Sequence, residues 1–137
     1  MEEVVRARGH ENVSAEHGST FEVTSDDYLT PAGDCILAIE ADRTPADFDP
    51  AFVAACQSAD ARLVATLETD EYTERVVGRG HPELTLASDR SLVCRTSDYV
   101  DDRTAMVGAE AAAVDLDRDL VGVLADGGAL TLTLTVG

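Results

Sequence analysis

The sequence predicts an α+β domain, 1–137, made of two β-β-β-α-β units. They pack about a pseudo-two-fold axis around a largely antiparallel sheet that could close in a barrel-like way. Three observations lead there: a collinear likeness between the halves, strand-like alternation at matching places in each, and one well-capped helix per half. The likeness starts at RGHENV, Arg8 to Val13, which returns as RGHPEL, Arg79 to Leu84. At one constant offset His10 falls on His81, Phe21 on Leu92, Val23 on Cys94, Asp27 on Asp98 and Tyr28 on Tyr99. After a short deletion in the second copy, Asp47-Phe48-Asp49 lands on Asp115-Leu116-Asp117, and Leu63 to Glu68 then lies on Leu130 to Thr135. Matches that keep their order along both halves point to an internal duplication, 4–69 and 73–136.

Each copy translates into the same elements. Val4 to Arg8 and Arg75 to Arg79 read as strands entering Gly-His turns, with Gly9 and Gly80 placed to supply positive φ. The chain then runs back as a strand over 14–24, where Phe21 and Val23 alternate with Thr20, Glu22 and Thr24, and SLVCRT puts Leu92 and Cys94 on the matching face. CILAIEA, from Cys35, is almost continuously apolar and reads as a strand buried on both faces. Asp49-Pro50 opens a helix near 50–58, because Asp caps free N–H groups and Pro at the first helical position lacks a donor that would be unpaired anyway. Phe52, Ala55, Cys56 and Ala59 form its apolar stripe. Asp117 opens the second helix, near 118–125, and Gly127-Gly128 stops it. Closing strands, Leu63 to Glu68 and Leu130 to Val136, complete the units.

Charge sets the surroundings. Asp and Glu number 27 against 10 basic residues, all of them Arg, for a net charge of −17. Such self-repulsion opposes the compact state in dilute buffer. At molar salt the Debye length falls to about 3 Å and the repulsion is screened. The composition therefore predicts a halophilic protein in a salt-accumulating cytoplasm; the plainer alternative is an acidic mesophilic protein, or a partner for a basic surface. An apolar content of 45%, rich in Ala and Val, is enough for a core of small side chains and argues against disorder. No window approaches the ~18 apolar residues of a membrane span, and MEEVVRARGH has no export pattern, so no membrane partner is expected. Cys35, Cys56 and Cys94 are an odd count without CxxC spacing, which argues against a disulfide framework and suits a reducing interior.

RGHENVSAEHGSTFEVTSDDYLTPAGDCILAIEAD, followed by RGHPELTL and the DLDRDL helix, resembles an archaeal family catalogued as domain of unknown function 371, over nearly the whole chain. The resemblance implies an archaeal source and marks His17, Thr20, Glu22 and Gly33-Asp34-Cys35; it implies no reaction. Where it leads one to expect Lys-Thr-Thr after the second His, this chain has Gly18-Ser19-Thr20, which speaks against a lysine-dependent role.

Two chemistries compete. Period-two geometry puts Arg6 and Arg8 on one strand face, and Arg75 and Arg79 on another. If the axis brings those strands together, the arginines with His10 and His81 form a cationic seam between the repeats, with His17 on the same side. Such a seam suits a small anionic ligand, a nucleotide or an RNA backbone. The favoured reading is a binding module using Arg8, His10, His17, Thr20, Arg79 and His81. The plainer one is that the arginines pair with acids such as Glu2, Glu3 and Glu74 and each His caps its own turn. Groups present in one copy suggest the alternative. At the first offset His17 meets Ser88, Thr20 meets Ser91, Glu22 meets Val93, and Gly33-Asp34-Cys35 meets Thr104-Ala105-Met106. Cys35 with His17 and Glu22 could serve a hydrolase or transferase if the thiol pKa were lowered. His10, His17, His81 and Cys35 could instead bind zinc or another divalent metal. None of these sets has a recognisable linear spacing, and Cys35 also fits as a small buried hydrophobe at the start of a strand.

Overall fold

The computed structural model describes residues 1–137. Its strands are β1 (Glu2–Arg8), β2 (Thr20–Thr24), β3 (Ile36–Ala38), β4 (Arg62–Glu68), β5 (Thr73–Arg79), β6 (Ser91–Arg95), β7 (Thr104–Met106) and β8 (Ala129–Val136). Helix α1 (Pro50–Cys56) precedes β4, and α2 (Arg118–Ala125) precedes β8. The helices form where the sequence signals them. The Asp49 carboxylate accepts the Ala51 N–H and the Asp117 carboxylate accepts the Asp119 N–H, each at 2.8 Å. Gly127, at φ +85°, follows the C-cap of α2, as an αL terminator should. A single 3-10 turn precedes each helix, Pro45–Asp47 and Ala113–Asp115, with the Asp carboxylate reaching back to the N–H of Thr44 or Ala112 at 2.9 Å.

The strands form two sheets of four. Sheet A has the order β1-β8-β4-β5 and is wholly antiparallel; sheet B has the order β3-β2-β6-β7, antiparallel at its centre and parallel at both edges. The sheet does not close into a barrel. β3 and β7 have three residues each, so the edges of the two sheets meet only at isolated bridges, Arg8 with Ile39 and Arg79 with Val107. The predicted strand over 14–24 is ordered as strand only from Thr20, and the apolar run from Cys35 only over Ile36–Ala38. At the middle of the β4–β8 ladder Thr66 faces Thr133, and at the middle of the β2–β6 ladder Glu22 faces Val93. Both are pairs that the alignment of the halves superposes.

One core lies between the sheets. Leu63, Leu67, Leu130, Leu132 and Leu134 from sheet A meet Phe21, Val23, Leu92, Cys94 and Met106 from sheet B, with Phe52, Cys56, Leu120 and Leu124 from the helices. Cys56 and Cys94 are sealed there. No helix is long and apolar enough to cross a membrane.

The recurring RGH turn has its explanation here. Gly9 and Gly80 do not adopt positive φ, contrary to the sequence reading; they are glycine because the backbone of a helix end lies against them. A Cβ at Gly9 would overlap the Leu124 carbonyl at the end of α2, and one at Gly80 would overlap the Cys56 carbonyl at the end of α1. Gly9 N–H bonds the Gly128 carbonyl at 2.7 Å and Gly80 N–H bonds the Ala61 carbonyl at 2.9 Å. Each turn is thus docked where the helix hands over to the strand that pairs with it.

Candidate functional site

The outer face of sheet A gathers the arginines. Arg6 and Arg8 on β1, Arg62 on β4, and Arg75 and Arg79 on β5 all project to this one face, as the ladder registers and alternating burial require. Between them lie Val4, Val64 and Val77 with threonines of β4 and β8, all half-buried and covered by no other element. Glu2 and Glu68 are the acids of this face. Half of the chain's arginines therefore share one open surface, and most of them have free donors. Arg8 pairs with Glu40, but the side chains of Arg6, Arg62, Arg75 and Arg79 make no ion pair and donate no hydrogen bond. The other arginines are engaged: Arg43 with Glu3, Arg90 with Asp26, Arg95 and Arg103 with Asp101, and Arg118 with backbone carbonyls including Ala15 and Ala113.

The histidine half of the predicted seam does not assemble. β1 and β5 are not paired; they are the opposite edges of sheet A, with β8 and β4 between. They also run in opposite directions, so Arg8 leads into His10 at one end of the sheet and Arg79 into His81 at the other. All three histidines cap their own turns. The Nδ1 of His10 accepts the Asn12 N–H and that of His81 the Glu83 N–H, each at 3.0 Å. The Nδ1 of His17 accepts the N–H groups of Ser19 and Thr20 at 3.2 Å. With Nδ1 an acceptor, the neutral ring carries its proton on Nε2. His10 also lines an open hollow of about 480 Å³ with Arg8, Glu11, Asp126 and Gly127. No group of three or more His, Cys, Asp or Glu side chains is placed to hold a metal ion, so His10, His17, His81 and Cys35 are not a zinc set.

The residues peculiar to the first half do come together, on the outer face of sheet B. Cys35 Sγ donates to Glu22 Oε1 at 3.7 Å, Arg103 Nη1 is 3.6 Å from the same oxygen, and His17 Nδ1 is 3.2 Å from Thr20 Oγ1. The Asp34 carbonyl accepts the N–H groups of Glu16 and His17, which fixes the turn beside them. Cys35 is half-buried rather than a core residue. Burial, with the nearby Glu22 charge, pushes its thiol up to about 11, a shift that the Thr20 hydrogen bond only partly opposes. A thiol so held is the reverse of an activated nucleophile. The strand registers also relocate its counterpart. Glu22 pairs with Ile36 and Val93 with Thr104, so Cys35 corresponds to Arg103 and not to Met106.

Comparison with known proteins identifies the family. The profile described as Domain of unknown function (DUF371) matches residues 5–137. The chain belongs to this family. An uncharacterised protein of the archaeon Methanocaldococcus jannaschii is 37% identical to it over 136 residues, covering 99% of this chain and 100% of the relative. For this member of the family, the sequence reading identified the strand-face arginines of β1 and β5 but missed Arg62, Arg95, Asp101 and Arg103. Arg62 had a legible signal, since it opens a strand with Val64 and Thr66 on the same face. Arg95 lies on the outward face of a strand that the sequence reading recognised, with Val93, whereas Asp101 and Arg103 follow Tyr99 in a segment that it assigned to no element.

Proposed function

We propose that this protein is a binding module for an anionic ligand, which it takes on the outer face of sheet A. The observation that carries the reading is the set of four arginines without any side-chain partner, Arg6, Arg62, Arg75 and Arg79, on one uncovered face of a chain with net charge −17. Guanidinium groups match phosphate and carboxylate with paired donors, and in a chain so rich in carboxylates their isolation from acids needs a reason. The face bears no aromatic side chain on which nucleic-acid bases could stack, so the chemistry favours a small anion or nucleotide over an RNA strand. The hydrolase or transferase reading draws no support from Cys35, whose raised thiol opposes thiolate chemistry. Titration with tripolyphosphate tests the proposal: it should raise the thermal midpoint of the native chain and leave that of R6Q/R62Q/R75Q/R79Q unmoved. Equal shifts in both would place the anion elsewhere.

The arrangement also supports an internal duplication, 4–69 and 73–136, as the origin of a two-fold fold. The order of elements is the same in both halves, and Thr66–Thr133 and Glu22–Val93 stand self-opposed at the ladder centres. Separately solved relatives whose halves follow different element orders would count against it. A halophilic, cytoplasmic setting follows from the charge. Stability should fall as salt is lowered from multimolar to about 0.1 M, where the Debye length is about 10 Å. A thermal midpoint constant over that range would remove the halophilic part of the reading.

A further inference from the structure

One corner of the arginine face differs from the rest. Arg62 and Arg79 are directly opposite on the β4–β5 ladder, which brings their Cβ atoms to about 5 Å, a placement in which like charges repel. No carboxylate relieves them and neither side chain donates a hydrogen bond. The corresponding corner of the other half has no such pair: Arg8 lies opposite Ala129 and is neutralised by Glu40. The doubled, unneutralised charge thus belongs to one half only. The next residues on the same face are Val64 and Val77, themselves a cross-strand pair and half-buried, which give this corner an apolar floor.

We infer that the Arg62/Arg79 corner is a subsite for a phosphate dianion, the terminal phosphate of a monoester or the free ion, with any organic part lying over Val64 and Val77. The inference rests on the anion-binding reading of this face and names its ligand class. Two guanidinium groups offer two forks of donors and a charge of two. A phosphate monoester near neutral pH carries about −1.5 to −2 and three acceptor oxygens, enough to serve both forks. A carboxylate or a phosphodiester carries a single charge and leaves one guanidinium uncompensated.

Calorimetric titration of the full chain in multimolar KCl, with glycerol phosphate, inorganic phosphate, dimethyl phosphate and acetate as probes, tests this. Glycerol phosphate and inorganic phosphate should bind. R62Q and R79Q should each weaken that binding about tenfold or more, the loss of one charge-assisted contact. Dimethyl phosphate and acetate should bind more weakly by a similar factor. Binding of inorganic phosphate alone would assign the corner to the free ion, within the proposal. Binding that survives R62Q/R79Q but is lost in R6Q/R75Q would overturn the subsite and leave the face as the binding surface. Failure of every anion to bind the native chain would remove both. Glutamine on an exposed sheet face should leave folding intact and removes the Arg62–Arg79 repulsion, so a thermal midpoint for R62Q/R79Q no lower than that of the native chain in the absence of ligand checks this.

Discussion

The two sheets treat arginine in opposite ways on their outer faces. On sheet A the face is bare, and four guanidinium groups have neither an acid nor a carbonyl to bond. On sheet B the chain's own loops cover the face: Val93 is 2% exposed and Thr104 is fully buried. There Arg95 donates to Thr104 at 2.8 Å and to Asp101 at 3.0 Å and stacks over Tyr99, while Arg103 holds Asp101 and approaches Glu22. The same side chain acts as a structural tie in one place and has no partner within the chain in the other. Burial accounts for Arg95, 9% exposed, since an arginine taken from water must find partners; Arg103 keeps a side chain 44% exposed and is held instead by the carboxylate of Asp101, two residues before it.

The largest expected effect comes from disturbing the covered face at its centre. Val93→Glu would set a second carboxylate directly opposite Glu22 at a buried position, and should cost about 3 kcal/mol or more. Chemical denaturation measures it, and a cost below that of a surface substitution would mean that the face is less closed than described. Next comes the direct contrast between arginines. Arg95→Ala removes a buried partner from Asp101 and Thr104 and should cost about 3 kcal/mol. Arg75→Gln, on sheet A, should stay within about 0.5 kcal/mol. Similar values for the two would erase the distinction between the faces.

A smaller effect appears in acid. Burial alone would raise the Asp101 carboxyl, but hydrogen bonds from the Arg103 side chain and backbone, with the charges of Arg95 and Arg103, outweigh it and hold the group at about 2. A carboxyl lowered in the folded state adds stability that is complete above its ordinary range, near pH 4, and is lost as the pH falls toward 2. The stability gap between the native chain and Asp101→Asn should therefore narrow on acidification from about pH 5. A gap that stays constant down to that limit would show that Asp101 is not held by these arginines.

Much of this was legible beforehand. The caps at Asp49-Pro50 and Asp117 fixed both helix starts, since a cap is a local interaction between neighbouring residues. Strand parity put Arg6 with Arg8 and Arg75 with Arg79. It could not say that β1 and β5 would be opposite edges of one sheet, because alternation reports a face and carries no information on strand order. The histidines looked like a site when read as a rare residue in a repeated motif; the short reach from Nδ1 to a following N–H was the stronger local signal. The equivalent placing of Cys35 and Arg103 was hidden because an alignment gap can be drawn anywhere in a loop, whereas the parallel ladders of β3 and β7 give the two positions the same register.

The self-opposed pairs at the ladder centres carry a consequence for history. Under the duplication reading, an ancestor of half this length would have assembled as two identical chains, and each central residue would have met its own copy across the axis. Thr66 with Thr133 is still such a meeting, and two hydroxyls tolerate it. Glu22 with Val93 is not, and a carboxylate set against its twin in a covered sheet is strongly destabilising. On that reading, a Glu at this position would have become admissible only once fusion let the two copies mutate separately. The contacts around Glu22, Cys35 and Arg103 would then be younger than the fold that holds them, an asymmetry that a symmetric dimer had no means to encode.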